Sequence, residues 1–393
     1  MIGLATGHKA HNYGNRLQAY ALQQTIIRRG FSCEILDITP EREDISGKVK
    51  EWVKNGSLLS PLYRHVLRKK NQQKYVDSDG NLDGELLRQV DQRENALNDF
   101  NRTYLHIHSC RGTRSQLEAQ SAQYKAVFCG SDQAWLPYHV NRHLYTLEFC
   151  APSVRRISYA PSFGISQIPH NMKEAYRVFL DKLDFISVRE KRGRELVAEL
   201  TGKEVPIVLD PTLLLEQSFW NHQIDEIAPL SEPYIFCCFL GESTEHRQFV
   251  LRLKQETGCK IIDVPHLMKY VRADDGFADE SRFDVNPLEF VALIRDATFI
   301  CTDSFHCAAF SIQFHKCFAM FERYRNEDRN STNSRVHSLM EMLKLEDRIC
   351  LTIEDSPAQW MSRTIDYSET DRLLEEYRKQ SNQYLDKALE GLK

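Results

Sequence analysis

Residues 298–320 read TFICTDSFHCAAFSIQFHKCFAM, and this stretch decides the fold class. The apolar run 298–302 predicts a short buried strand, 306–314 predicts a helix, and 317–321 predicts a second strand. A strand, a helix and a strand in this order form a right-handed crossover between parallel strands. Repeated units of this kind build parallel sheets that helices cover on both faces.

The same alternation extends through the rest of the chain. Toward the amino terminus, short apolar runs predict strands at 2–6, 31–38, 126–129, 156–160, 185–188 and 206–209. In the second half, strands are predicted at 234–240 and 259–264, with helices at 244–257 and 287–296. The sequence therefore predicts an α/β protein with parallel sheets.

A connecting segment near 212–231 separates the two series and predicts a domain boundary. We expect a first domain over 1–215, carrying an insertion at 40–100, and a second domain over 230–365. The segment 366–393 has an apolar stripe at helical spacing, which predicts a C-terminal helix that packs on the rest of the protein.

Composition limits the functions that the chain can have. It has 393 residues, 42% hydrophobic and 27% charged, with a net charge of −4, which argues against a basic nucleic-acid binder. The 11 cysteines are scattered without a C-x-x-C pair, so we expect reduced, buried thiols and no zinc site. Neither a signal region nor an apolar run of about 20 residues is present, so we expect a cytoplasmic protein.

Residues 48–74 interleave lysine and arginine with apolar side chains. Such a stretch is a solvated helical face over a small apolar stripe, or a surface that rests on anionic lipid headgroups. The second interpretation predicts a peripheral contact with the inner face of the plasma membrane.

Ligands of open parallel sheets bind beyond the carboxyl ends of the strands, so the loops there are the first places to look for a site. The first such loop contains His8, His11, Asn12 and Asn15, and Gln18 follows one turn into the next helix. Amide side chains suit sugar hydroxyls, although a hydrogen-bonded turn with a capped helix explains them equally well.

The loop after the strand 126–129 reads GSDQAW. Asp132 can accept a proton from a hydroxyl nucleophile, Gln133 is polar, and Trp135 has a flat face. Asp132 can equally be a helix N-cap, so the motif by itself does not decide between the two.

Three further loops carry polar side chains at strand ends. Ser162 lies in a run of small residues that either meets an anion or makes a tight turn. Arg189 can hold a carboxylate or phosphate, or pair with a neighbouring acid such as Glu190. Asp210 precedes Pro211 and is most simply part of a turn.

The opening stretch supplies the densest cluster. Asp303, Ser304 and His306 begin a helix, whose amino end favours negative charge, and Arg335 and His337 follow about thirty residues later. Two arginines, counting Arg189, and two imidazoles around a helix start predict a site for a small anion with several charges.

Six segments resemble, in order and spacing, the polysaccharide pyruvyl transferase family over residues 2 to 345. They are HNYGNRLQAYAL, VFCGSDQAW, ISYAPSFG, ISVRE, VLDPTLLL and TDSFHCAAFSIQFHKCF. The resemblance implies two Rossmann-like domains that face each other across a cleft in a GT-B-like arrangement. It implies that the first domain binds the acceptor and the second binds phosphoenolpyruvate.

The implied reaction forms a cyclic pyruvate ketal on a sugar of a cell-surface polysaccharide or its lipid-linked repeat unit, and releases phosphate. Phosphoenolpyruvate is then a co-substrate, and neither a cofactor nor a metal is required. Nucleic acid is not an expected partner.

The resemblance implies donor-side roles for Arg189, His306 and Arg335 with His337. Together with the loops described above, it leads us to expect His306, Asp132 and Asp303 as catalytic residues. We expect His306 to be the general acid or the proton donor on the phosphate side, and Asp132 or a residue of the first loop to receive the acceptor proton. The remaining expected contacts are, for the donor, Arg189, Arg335, His337, Ser304 and Ser162, and, for the acceptor, Asn12, Asn15, Gln18, Gln133 and Trp135. Some members have Arg-Leu-His where this chain has Ser-Phe-His, and some have a lysine after the following strand, where this chain offers Arg323, Arg325 or Arg335 as the phosphate ligand.

Two other functions compete with this one. A glycosyltransferase of the same architecture would use a nucleotide sugar, and would need a ribose- and base-binding set in the second domain. A non-catalytic carbohydrate-binding protein of an assembly complex would need no intact proton donor.

Overall fold

The structure is a computed structural model that describes residues 1–10, 12–40, 84–143, 145–266, 270–324, 333–350 and 356–392. The membrane-contact prediction for 48–74 lies outside these residues, as do His11 and Arg325.

The first half of the chain forms a sheet of five parallel strands. They are β1 (Ile2–Ala5), β2 (Cys33–Pro40), β3 (Ile107–Gly112), β4 (Ala126–Cys129) and β5 (Arg155–Ser158). The spatial order β3-β2-β1-β4-β5 places β1 at the centre. β1 and β4 are buried at every position, which is why they read as continuous apolar runs.

The helices of this half lie between the strands and after them. They are α1 (Tyr13–Ile27), α2 (Gly84–Tyr104), α3 (Arg114–Ser121), α4 (Pro137–Val140), α5 (Lys173–Asp181), α6 (Lys191–Thr201), α7 (Pro211–Leu214) and α8 (Gln217–Gln223). Helices α7 and α8 occupy the segment that was predicted to connect the domains.

The second half repeats the architecture with another five-stranded parallel sheet, ordered β10-β9-β6-β7-β8. Its strands are β6 (Tyr234–Cys238), β7 (Lys260–Asp263), β8 (Glu280–Ser281), β9 (Phe299–Thr302) and β10 (Phe318–Met320). Its helices are α9 (Thr244–Thr257), α10 (Pro287–Asp296), α11 (Phe305–Gln313), α12 (Ser334–Leu343) and α13 (Pro357–Met361). The predicted α/β class, with two Rossmann-like units in a GT-B-like architecture, is confirmed.

The predicted strands 185–188 and 206–209 form single bridges instead of regular strands: Phe185 bridges Ile157 of β5, and Ile207 bridges Val188. The hydroxyl of Ser158 donates to the carbonyl of Ser187, and the hydroxyl of Ser187 donates to the carbonyl of Ser158. These side-chain bonds join the segment to β5 beside the backbone bond from Ser158 N to Phe185 O.

The final helix, α14 (Tyr367–Leu389), contacts both halves of the protein. Near its start, the Thr370 hydroxyl donates to the carbonyl of Leu343 in the second half. Near its end, the Tyr384 hydroxyl donates to Ser158 O, and Arg155 donates to the carbonyl of Ala388 in return. The helix therefore fixes the two sheets relative to each other, which matters because the candidate site takes residues from both.

Candidate active site

The carboxyl ends of the first sheet carry four polar side chains that face one region. Asp132 follows β4, Ser162 follows β5, Arg189 immediately precedes the Glu190 N-cap of α6, and Asp210 caps α7. The side chain of Asp210 is completely buried. It organises the site because three separate segments converge on its carboxylate.

Each oxygen of Asp210 has defined partners. Oδ2 accepts a 2.8 Å hydrogen bond from the Ser131 hydroxyl and a 2.6 Å bond from Nη1 of Arg189. Oδ1 accepts bonds from the amide (3.0 Å) and the hydroxyl (2.8 Å) of Thr212. The sequence analysis favoured a simple turn at Asp210, and Asp210 does cap α7. Its carboxylate also holds the buried guanidinium of Arg189 in place.

Arg189 is buried, with 3% of its side chain exposed. Its guanidinium lies 4.3 Å from the ring centroid of Phe305, and its Nη2 lies 3.5 Å from Oδ1 of Asp132. Within the described residues, Nη2 and Nε have no hydrogen-bond partner. Arg189 thus has one anchored edge and two donor nitrogens left for a ligand.

His306 comes from the second half and occupies the first turn of α11. Its Nε2 lies 3.6 Å from Oδ2 of Asp210 and makes no hydrogen bond to any described residue. The other side of the ring packs on Gly14 in α1, where an added Cβ would overlap the imidazole. Packing therefore presents His306 to the Asp210 side of the cleft.

Arg335, at the start of α12, completes the contact across the two halves. Its Nη1 lies 3.6 Å from Oδ1 of Asp132, the same oxygen that faces Arg189. One carboxylate oxygen thus lies between two guanidinium groups from different sheets. Arg189, His306 and Arg335 therefore converge on one region beside Asp132 and Asp210, as the sequence predicted.

The electrostatics of these groups are strongly coupled. Burial raises the pKa of Asp210, but the charges of His306 and Arg189 outweigh it and hold that pKa well below its usual range. The pKa of Asp132 is lowered in the same way, since His306, Arg189 and Arg335 outweigh burial. Burial, with the like charge of Arg189, lowers the pKa of Arg335 to about 10. Asp210, Asp132 and Arg335 are therefore ionised near neutral pH.

Glu190 and Ser162 form a second layer behind Arg189. The Ser162 hydroxyl donates a 2.7 Å bond to Oε1 of Glu190, and the Phe163 amide donates to the same oxygen. Burial raises the pKa of Glu190 despite the nearby Arg189. In this structure Ser162 supports the acidic neighbour of Arg189 and is itself fully buried.

Asp303, predicted as catalytic, is placed differently from His306. Its two carboxylate oxygens accept bonds of 2.7 Å from the amides of Leu240 and Gly241. Arg323 donates to the backbone carbonyl of Asp303 at 3.0 Å. The Asp303 side chain therefore shapes the loop after β6, and Ser304 beside it is the N-cap of α11 without a side-chain cap bond.

His337 lies two residues after Arg335 in α12, and its side chain points away from the cluster. Its Nε2 pairs with the carboxylate of Glu322, and its side chain is 45% exposed. No contact joins it to Arg189 or Asp132 among the pairs that the described part of the chain forms.

The predicted acceptor residues of the first loop are engaged within the protein. Asn12 caps α1 by accepting from the Gly14 amide. Gln18 is fully buried: it accepts from the Ser131 amide and donates to Gly7 O and Asn15 O. These side chains hold the first loop against the GSDQAW loop, and so position Asp132.

Trp135 is completely buried and lies edge-on to Phe163, with ring centroids 5.1 Å apart. The sequence predicted that its flat face is open to the acceptor, and the structure corrects this because the indole belongs to the core. Tyr138, in α4 just after this loop, is 61% exposed, and Gln133 is partly exposed.

Two searches of the described residues concern metals and membranes. No group of three or more His, Cys, Asp or Glu side chains is arranged to hold a metal ion. None of the helices described has the length and hydropathy that crossing a bilayer requires.

Comparison with known proteins identifies the class. The family model of the polysaccharide pyruvyl transferases matches residues 12–324, which include Asp132, Arg189 and His306. The chain therefore belongs to the polysaccharide pyruvyl transferase family, as the six motifs predicted. No curated protein matches the sequence.

Solved structures resemble the chain at low sequence identity. UDP-GlcNAc 2-epimerase from Neisseria meningitidis is 10% identical, with a TM-score of 0.48 and coverage of 98% of this chain and 100% of that one. A heptosyltransferase from E. coli is 15% identical, with a TM-score of 0.38 and coverage of 84% and 89%. These likenesses concern the fold and carry no information about the substrate of this chain.

Proposed function

We propose that this protein transfers pyruvate from phosphoenolpyruvate to two hydroxyl groups of a saccharide, forming a cyclic ketal and releasing phosphate. One observation carries the proposal: Arg189 and Arg335, from opposite halves, lie 3.5 and 3.6 Å from one oxygen of Asp132, beside His306. Membership in the family supports the reaction class.

The donor fits the cluster by charge and by shape. Phosphoenolpyruvate carries about three negative charges near neutral pH in a carboxylate and a phosphate, and guanidinium groups bind both in a two-pronged geometry. Asp132 Oδ1 lies between the two arginines, in the position that a donor oxygen would take. Arg189 keeps its orientation during the exchange because Asp210 holds Nη1.

The chemical steps balance with the groups present. One acceptor hydroxyl oxygen bonds to C2 of the donor while its methylene carbon takes up a proton, and the second hydroxyl then replaces the phosphate oxygen at C2. Of the two hydroxyl protons that are lost, one ends on the new methyl group and the other leaves with phosphate. The product keeps one carboxylate charge, and phosphate carries the other two.

His306 is the proton donor in this scheme and Asp132 is the acceptor of the hydroxyl proton. Nε2 of His306 is unpartnered among the described residues and lies 3.6 Å from the buried carboxylate of Asp210, so this nitrogen is available for proton transfer. Asp132 is released from the two arginines when the donor binds, and its carboxylate is then free to receive the proton. One well-placed proton-transfer group contributes roughly a hundred- to ten-thousand-fold.

The test is incubation with phosphoenolpyruvate and methyl glycosides of galactose, mannose and N-acetylmannosamine. Mass spectrometry reads the pyruvate increment, and phosphate release is measured in parallel. Phosphate should appear only when a suitable glycoside is present, and His306→Ala should abolish it while thermal unfolding stays near wild type. Near wild-type turnover in the variant would remove His306 from the mechanism.

A thermal shift measurement separates this function from the nucleotide-sugar alternative. Stabilisation by phosphoenolpyruvate, and none by UDP- or GDP-sugars, is the expected result. The reverse pattern would make the protein a glycosyltransferase.

A further inference from the structure

A second pocket of ≈ 780 Å³ opens at the carboxyl ends of β6 and β10. The loop after β6, the first turn of α9 and the residues after β10 line it. The cluster of Arg189, Asp210 and Asp132 is not part of its wall. Of the residues expected above to contact donor or acceptor, Arg323, one of the alternative phosphate ligands, is the one that lines this pocket among the described residues.

The wall of the pocket has an acidic and hydroxyl-rich chemistry. Among the described residues, Glu242, Glu245 and Glu322 line it, together with Tyr324 and one arginine, Arg323. That arginine already lies 3.6 Å from the carboxylate of Asp303. An excess of carboxylates repels a phosphate or carboxylate ligand, whereas carboxylate oxygens accept hydrogen bonds from neutral hydroxyl groups.

A buried imidazole in the same wall points independently to a ligand. His246 is only 8% exposed, its ring lies 4.6 Å from that of Phe321, and Nδ1 has no hydrogen-bond partner among the residues described. Burial lowers the pKa of His246, so the ring is neutral near pH 7 and offers one donor and one acceptor nitrogen. Buried polar atoms are normally paired, and a ligand hydroxyl at this wall provides such a partner.

The pocket is joined to the active site through Asp303. The Asp303 carboxylate holds the amides of Leu240 and Gly241 on the pocket side, and its backbone leads into Ser304 and His306 on the other side. Arg323 binds the carbonyl of Asp303 and lines the pocket. A ligand here is therefore a near neighbour of a ligand beside His306.

We propose that this pocket binds the sugar unit of the acceptor that adjoins the unit receiving pyruvate. The proposal rests on the proposed function for the identity of the acceptor. The chemistry of the pocket wall by itself suits a neutral saccharide. Through this pocket the second half of the protein would help to select the acceptor, in addition to binding the donor.

The experiment compares monosaccharide and disaccharide acceptors in the double variant E242Q/E245Q. Both side chains are exposed, so the substitutions leave the core intact. KM for disaccharides of galactose, mannose or N-acetylmannosamine should rise about tenfold, the loss expected from one charge-assisted hydrogen bond. KM for the matching methyl glycoside, KM for phosphoenolpyruvate and kcat should not change. The control is E376Q, which alters an exposed glutamate of α14.

Binding without the donor separates the two proposals. Saturation-transfer NMR with the same disaccharides, and no phosphoenolpyruvate, should show contact with the wild type and a loss in E242Q/E245Q. If the wild type transfers no pyruvate but this contact is present, the proposed function fails and the saccharide pocket stands. If transfer occurs while the variant keeps both its NMR contact and its disaccharide KM, the pocket proposal is wrong and the proposed function stands.

Discussion

Nη1 of Arg189 donates a 2.6 Å hydrogen bond to Oδ2 of Asp210, a carboxylate whose side chain is completely buried. The same oxygen accepts from Ser131 and faces Nε2 of His306 at 3.6 Å. Asp210 therefore connects Arg189, which we propose holds the donor, to His306, which we propose moves a proton. In that scheme the role of Asp210 is to position the other two.

Replacing Asp210 tests that role. Asp210→Asn keeps the shape but removes the charge that orients Arg189. Removing one partner of a buried ion pair costs roughly 3–5 kcal/mol of stability, and the amide shape keeps the loss toward the lower end. KM for phosphoenolpyruvate should rise at least about tenfold, because Arg189 loses the charge that anchors it. Thr212→Val, which removes one hydroxyl bond to Oδ1, should leave this KM near the wild-type value.

Asp132 allows binding to be separated from chemistry. In Asp132→Asn, two arginines face a neutral side chain, so the equilibrium dissociation constant for phosphoenolpyruvate should fall by about threefold to tenfold. Because the proton acceptor is lost, kcat should fall by about a hundredfold. Calorimetry measures the first quantity and phosphate release the second. Weaker donor binding in this variant would show that Asp132 helps to hold the donor.

Gly14 sets the position of the His306 ring. A Cβ at this position would overlap the imidazole, so Gly14→Ala should displace it and reduce kcat by at least about a hundredfold. Gly193→Ala, inside α6, is the matched control, because an added Cβ would come no closer than 3.4 Å to the neighbouring atoms. That variant should keep full activity and gain up to about 1 kcal/mol of stability. Equal activity in both variants would contradict the packing argument.

The raised pKa of Asp263 predicts how the free energy of unfolding depends on pH. Burial, with the like charge of Asp274, raises the pKa of Asp263 to about 7, against the opposing effects of Ser281, Arg247 and Arg93. The folded state thus binds its proton more tightly than the unfolded state, whose pKa is 3.8. Stability should therefore fall as the pH rises from 3.8 to about 7, and stay lower above that.

Asp263→Asn removes this dependence. The variant should be more stable than wild type by ~4 kcal/mol at pH 8, with a smaller difference at pH 5. Urea unfolding at several pH values measures the effect. Asp181→Asn, at an exposed carboxylate, serves as the control and should run parallel to wild type. A constant difference between Asp263→Asn and wild type across the pH range would contradict the assigned titration.

Much of the fold could be predicted from local patterns. The predicted helices 244–257 and 287–296 coincide with α9 and α10, since each has a polar cap and an apolar stripe. β3 was not predicted because its residues alternate between exposed and buried and give no apolar run. β8 is two residues long, which is too short to leave a pattern.

The site was only partly predictable for a related reason. Arg189, His306 and Arg335 could be named because each stands at a strand or helix end, where parallel sheets expose side chains. Asp210 could not be distinguished from an ordinary helix cap, because it does cap α7 in addition to holding Arg189. Trp135 was predicted to be open because a tryptophan after a polar loop looks the same whether its ring points inward or outward.

The sequence by itself determined the α/β class, the family and the order of the loops that carry the site, since strand and helix periodicity and motif spacing are local properties of the chain. Only the tertiary structure decided which polar side chains share a ligand. The contact of Asp132 with both Arg189 and Arg335 joins residues from two separate sheets, and no local pattern encodes that distance. The physical reason is that burial and pairing of charge depend on what packs from the other half.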